Sequence, residues 1–176
     1  MTDAELSALL REHALLEGDF VLRSGRRSSY YLDKYRFETR PDLLGELGRR
    51  IADRAAEAAP GAHRFAGPEL GAVALAASAS LAGGVPFLIV RKEAKGYGTE
   101  KRIEGEFEPG EEVCLVEDIV TTGGASEQAV DALREAGLVC RTAICVVDRE
   151  EGGADTLARK AVRLVPIFRA SDVVAG

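Results

Sequence analysis

The most constraining feature of this chain is an alternation that begins near residue 64 and continues to 168. Five short apolar runs, "RFAG" (64–67), "PFLIV" (86–90), "VCLVEDIV" (113–120), "LVCRTAICVV" (138–147) and "AVRLVPIF" (161–168), are separated by helix-like stretches at 69–82, 125–136 and 153–160. Only the long segment before "VCLVEDIV" breaks the rhythm. Runs too apolar to leave one face in water, alternating with helices, predict an α/β fold whose mainly parallel central sheet is flanked by helices. In such sheets ligands gather beyond the carboxyl ends of the strands. That expectation puts "GPELG" (67–71), "RKEAKGYGTEKRIEG" (91–105) and "EDIVTTGGAS" (117–126) on one rim.

Upstream, "MTDAELSALLREHALLEGD" reads as an amphipathic helix capped by Thr2 or Asp3, without the basic start and long apolar stretch of a signal sequence. "FVLRSGRRSSYYLDKY" carries two β-prone runs around a Ser-Gly turn and predicts a hairpin. From Arg40, "RPDLLGELGRRIADRAAEAA" has apolar residues at helical spacing, with Pro41 suited to the first turn. The uncharged stretch from Leu70 to Val90 has about the length of a membrane span. Ser78, Ser80, Gly83, Gly84 and Pro86 interrupt it, so a buried helix followed by a strand is the better reading.

At 176 residues the chain is expected to form one domain, 1–176, with no repeat or linker. Its hydrophobic share of 46% and charged share of 30% suit a soluble globular protein, and its formal net charge of −6 argues against general nucleic-acid binding. Cys114, Cys140 and Cys145 form no CxxC pair, and their odd number points to reduced core thiols and a cytoplasmic setting. His13 and His63 are isolated, and nothing suggests a metal held by protein side chains alone. No membrane partner is expected.

The chemistry concentrates at 117–126. Thr121, Thr122, Gly123, Gly124, Ala125 and Ser126 join a strand to a helix, where backbone N–H groups can converge on an anion; a plain helix cap at a tight turn is the other reading. Glu117 and Asp118 precede that turn directly. Two acids at the end of a buried strand are disfavoured unless hydrogen-bonded. A ligand with both a phosphate and vicinal hydroxyls, a ribose 5-phosphate, accounts for the whole stretch: the turn takes the phosphate and the acids take the hydroxyls.

Apolar residues, Glu-Asp, two further residues and Thr-Thr-Gly-Gly resemble the phosphoribosyl-diphosphate motif of the type I phosphoribosyltransferases. "GPELGAVALA" resembles that family's pyrophosphate loop. "RKEAKGYGTEKRIEG" is similar to the mobile catalytic loop of the orotate branch, "FVLRSGRRSSYYLD" to its N-terminal substrate hood, and Asp148-Arg149 matches its "DR". The resemblance covers almost the whole chain. It implies a type I phosphoribosyltransferase fold with a hood over residues 1–36 and a core over 40–170. It also implies transfer of the phosphoribosyl group from Mg²⁺-phosphoribosyl diphosphate to orotate, giving orotidine 5′-monophosphate and diphosphate in de novo pyrimidine (UMP) biosynthesis. The alternatives are a phosphoribosyltransferase for a purine or other base, and a non-catalytic regulator that senses phosphoribosyl diphosphate.

Residue by residue, the resemblance implies phosphoribosyl-diphosphate contacts from Arg91, Lys92, Lys95, Tyr97, Glu117, Asp118, Ile119, Val120, Thr121, Thr122, Gly123, Gly124 and Ala125. Lys95 and Asp118 carry catalysis. Orotate contacts are implied for Arg23, Tyr31, Leu32, Thr121 and Arg149, whose guanidinium suits a carboxylate. Three positions depart from the family pattern: Tyr97 stands where His is frequent, Arg23 where Lys is common, and Gly71 where some relatives have Lys. Alternating strand geometry allows only one of Tyr30 and Tyr31 to face the base, and Tyr31 is the expected one. The resemblance further implies a homodimer with shared sites, the loop of each subunit reaching into its neighbour.

Overall fold

The structure is a computed structural model that describes residues 1–21, 25, 27–93 and 101–174. Helix α1 spans Asp3–Ala14. Thr2 is its cap: the Thr2 hydroxyl accepts the Glu5 N–H, and the Glu5 carboxylate accepts the Thr2 N–H in return, which satisfies two donors that a helix start leaves open. Leu6, Leu10 and Ala14 form its buried stripe. Strands β1 (Leu15–Val21) and β2 (Arg27–Leu32) pair antiparallel, with Leu15 opposite Leu32. The hairpin therefore begins five residues before the β-prone run at Phe20, because Leu15 and Leu16 extend it. A short helix α2 (Tyr35–Glu38) leads into α3 (Pro41–Ala58), which has proline in its first turn and buries Leu43, Leu47, Ile51 and Ala55.

The alternating part follows in order: β3 (Arg64–Pro68), α4 (Gly71–Gly83), β4 (Phe87–Val90), β5 (Ile103–Glu104), β6 (Glu112–Val120), α5 (Gly124–Glu135), β7 (Val139–Asp148), α6 (Gly153–Arg159), β8 (Arg163–Arg169) and α7 (Ala170–Val174). The five apolar runs are thus β3, β4, β6, β7 and β8. The apolar stretch from Leu70 to Val90 divides into α4 and β4, and Ser78, one of its two serines, donates to the Leu44 carbonyl on α3 at 2.9 Å. Among the described residues no helix is long and apolar enough to cross a membrane. Strand β5 was not expected; two residues are too few to carry a pattern, and it exists only through antiparallel pairing with β4. Helices α2 and α7, four and five residues long, are likewise too short for periodicity.

The six-stranded sheet runs β5-β4-β3-β6-β7-β8, parallel throughout except at β4–β5. From β3 the chain moves outward to β4 and then returns to β3's other side at β6. That reversal opens a crevice between the carboxyl ends of β3 and β6, the position where such sheets bind ligands. Side chains of β6 alternate between two cores. Cys114 and Val116 join α1, α3 and α4 on one face; Val113 and Leu115 join α5 and Leu157 of α6 on the other. The next two residues continue the alternation, so Glu117 points to the α5 side and Asp118 to the α4 side. The N-terminal segment is tied to the end of the chain: Ser7 donates to the Asp172 carbonyl at 3.2 Å and Arg11 to that of Val173 at 2.8 Å. Cys114, Cys140 and Cys145 are free and buried, and burial pushes all three thiols upward in pKa.

Candidate active site

Two helix starts meet at the crevice. Gly123 ends the turn after β6 in the left-handed region (φ 84°), and no side chain caps α5. A side chain at Gly123 would press on the Gly153 carbonyl at 3.0 Å, so glycine is required by both the turn and the packing. Thr121, Thr122 and Ala125 are exposed around it. The start of α4 also has no side-chain cap, and the Glu69–Leu70 peptide before it is cis. Uncapped N–H groups at helix starts favour anions.

Glu117 and Asp118 lie between these two starts, both buried. On the α5 side, burial first and the neighbouring Asp118 second push Glu117 up to about 8, against the opposing hydrogen bond from the Ser126 hydroxyl. Glu117 Oε1 has no hydrogen-bond partner among the described residues. On the α4 side, Asp118 Oδ1 accepts its own neighbour's N–H, from Ile119, at 2.5 Å, and Oδ2 takes the Lys34 ammonium at 2.6 Å. Ile119 is partly buried and Val120 buried; they carry the strand to the turn. Close by, Glu38 is buried, and desolvation followed by the Asp118 charge raises its pKa to about 8.

Arg149 reaches the same rim from β7. Its N–H donates to the Val120 carbonyl at 2.8 Å, which fixes it beside the turn. The guanidinium is buried, pairs with Glu151 at 3.1 Å and lies 4.5 Å from the centre of the Tyr30 ring. Its Nε has no partner among the described residues. Of the two tyrosines, Tyr30 lies against Arg149, whereas Tyr31 is exposed and tilts against Phe20 at 5.8 Å. The bulge in β1 between Glu17 and Phe20, invisible in the residue pattern, accompanies this register. Leu32 is buried in the hydrophobic core with Leu6 and Leu10.

Arg91 and Lys92 begin the basic segment. The Arg91 N–H donates to the Arg102 carbonyl at 2.8 Å, and the Lys92 N–H donates to Glu69 Oε1 at 2.7 Å, which brings this segment against the turn before α4. Arg23, Lys95 and Tyr97 lie outside the described residues.

No protein-family model matches the chain. It is 47% identical over 173 residues to the orotate phosphoribosyltransferase of Methanocella arvoryzae, covering 98% of this chain and 97% of that one. The chain belongs to the orotate phosphoribosyltransferase family. Among solved structures, the orotate phosphoribosyltransferase of Aeropyrum pernix superposes with a TM-score of 0.86 at 33% identity, over 97% of this chain and 96% of that one. The Mycobacterium tuberculosis orotate phosphoribosyltransferase in complex with 5-phospho-alpha-D-ribosyl 1-diphosphate gives 0.81 at 29% identity, over 97% and 98%. The type I phosphoribosyltransferase fold expected from the alternation and the motifs is therefore the fold of this chain. The residue pattern of this orotate phosphoribosyltransferase family member does not single out Lys34 and Glu38. Their only signal is a basic and an acidic residue four apart after the hairpin, a spacing common on solvated helices.

Proposed function

We propose that the protein transfers the 5-phosphoribosyl group of phosphoribosyl diphosphate to orotate, releasing orotidine 5′-monophosphate and diphosphate in UMP biosynthesis. The observation that carries this reading is the convergence, at one crevice, of the uncapped turn after β6, the Glu117–Asp118 pair and the Arg149 guanidinium. The turn over Thr121, Thr122, Gly123, Gly124 and Ala125 receives the 5-phosphate. Glu117 and Asp118 accept hydrogen bonds from the ribose hydroxyls. Positive charge developing on the ring as diphosphate leaves is favoured by a carboxylate held this close.

The turn before α4, together with Arg91, Lys92, Lys95 and Tyr97, receives the diphosphate. The open Nε edge of Arg149 suits a carboxylate, and the Tyr30 ring beside it suits a planar base. Arg23 adds positive charge on the hood side. Among the described residues no group of three or more His, Cys, Asp or Glu side chains could hold a metal. Mg²⁺ would arrive with the diphosphate and keep several of its waters, Glu117 and Asp118 would be the residues to hold those waters, and the ion would supply charge neutralisation for the leaving group.

Incubating the protein with phosphoribosyl diphosphate, Mg²⁺ and, separately, orotate, uracil, adenine and hypoxanthine tests the assignment. Nucleotide should form with orotate, and turnover of adenine or hypoxanthine but not orotate would refute it. We further propose a homodimer in which Lys95 serves the neighbouring site. Lys95→Ala and Asp118→Asn subunits, refolded together, would then recover roughly a quarter of parental activity, because half the dimers are mixed and half their sites intact. No recovery in confirmed heterodimers would exclude sharing.

A further inference from the structure

Lys34 is out of place for a cation. It follows the hairpin, immediately before α2, and is separated by 84 positions from Asp118, yet its ammonium lies 2.6 Å from Asp118 Oδ2. It also lies over the first turn of α4. A side chain on Gly71 would overlap Asp118 Oδ2 and come within 2.5 Å of Lys34 Nζ, so the missing Cβ is what admits both groups. The start of a helix carries partial positive charge and repels an ammonium. Here no side chain caps that start. Burial also opposes the lysine's charge, but the Asp118 carboxylate outweighs it and holds the ammonium protonated. Asp118 is thus the main counter-charge for a lysine set against a positive helix end.

We propose that Lys34 is a diphosphate-binding residue of this site: it rests on Asp118 in the free protein and passes to the diphosphate when ribose hydroxyls engage Asp118. This rests on the phosphoribosyl-transfer reading. The exchange resolves both local conflicts at once. The diphosphate at the α4 start supplies the anion that this helix end favours, and it replaces Asp118 as the lysine's partner while the carboxylate turns to the sugar. The ammonium does not have to travel far, since it already lies over the turn where the diphosphate is received. Gly71 acts by leaving room, and any larger residue there would drive the lysine from its place.

The test compares Lys34→Met, which keeps the apolar stem and loses the charge, with Lys34→Arg and the parent; Lys34→Gln replaces Lys34→Met should the latter not fold. Affinities for inorganic diphosphate with Mg²⁺ and for ribose 5-phosphate are measured by calorimetry, with thermal unfolding as the check on folding. Losing a charge-assisted contact should weaken diphosphate binding by about tenfold or more in Lys34→Met. Ribose 5-phosphate affinity and the KM for orotate should stay near parental, and Lys34→Arg should restore much of the diphosphate affinity. Unchanged diphosphate affinity in a folded Lys34→Met protein overturns the proposal, as does equal weakening of both ligands, which would make Lys34 a support for Asp118 alone. Failure of the parent to form orotidine 5′-monophosphate would instead remove the functional reading.

Discussion

Adjacent acids flank β6 at both ends, and the two pairs have opposite fates. At its start, Glu111 takes two hydrogen bonds from Arg64 on β3, at 2.6 and 3.1 Å, and Glu112 is paired with Arg141 on β7 at 2.8 Å. At its finish, Glu117 has an oxygen without a partner among the described residues, and Asp118 depends on a lysine brought from the hood side. Arg64 holds Glu111 below the usual carboxylate range, while burial lifts Glu117 to about 8. Neighbouring strands satisfy the first pair, whereas the second is held by groups outside the sheet, Lys34 for Asp118 and Ser126 for Glu117. Strand end, more than residue type, separates an acid pair that ties the sheet together from one set at the crevice to which we assign the sugar.

The largest effect that would sharpen this contrast is expected from Asp118→Asn. The amide keeps the shape and loses the charge that both Lys34 and a ribose hydroxyl require. A hydrogen bond to a charged group is worth roughly 1.5–3 kcal/mol, so kcat/KM for phosphoribosyl diphosphate should fall about ten- to hundredfold. Parental kinetics for that substrate would remove the carboxylate from the mechanism and blur the two strand ends.

Arg149→Ala should come next and should act on the other substrate. Loss of a charged partner for a carboxylate should raise the KM for orotate about tenfold or more, with a smaller change for phosphoribosyl diphosphate. Uracil, which lacks the carboxylate, should be a poor substrate of the parent. Equal use of uracil and orotate by the parent would contradict the role of Arg149.

A smaller effect separates the two ends by the sign of their pH dependence. Glu117 and Glu38 have folded pKa values raised to about 8 from 4.5, so the folded protein binds protons that the unfolded chain has released. Their contribution to stability is present below pH 4.5 and is lost as pH rises to about 8. Glu111, with a lowered value, contributes above its unfolded value and loses that contribution as pH falls through its folded one. The ligand-free protein should therefore melt at a lower temperature at pH 8 than at pH 5.5, and Glu38→Gln should flatten that slope. A slope unchanged by Glu38→Gln would show that this carboxyl is not held protonated by the fold.

The least effect is expected from Glu111→Gln and Glu112→Gln. Both pairs lie at the opposite end of β6 from the crevice, with Arg141 exposed and Arg64 partly buried, so their loss should act on the strand start and not on turnover. Both variants should keep parental kcat and both KM values, read from the same assay. A loss of turnover approaching that of Asp118→Asn would break the comparison.

The chain's local chemistry was sufficient for much of this. Apolar runs at strand length, separated by helical spacing, determine which segments become β3, β4, β6, β7 and β8, because each element must bury its own apolar face. Glu-Asp before Thr-Thr-Gly-Gly marks the crevice, since acids and an uncapped turn are legible within ten residues. The order of the strands is different. Pairing of β3 with both β4 and β6 joins segments tens of residues apart, and nothing local states which neighbours meet. The same limit applies to the hairpin, where a β1 bulge accompanies the register that sets Tyr30 against Arg149 and buries Leu32 in the core. It also explains Lys34. A lysine after a hairpin is unremarkable until the tertiary structure carries it 84 positions along the chain to Asp118, into space that Gly71 leaves open. Periodicity and turn chemistry are properties of neighbouring residues, whereas burial, charge pairing and pKa depend on whichever distant groups the packing brings together.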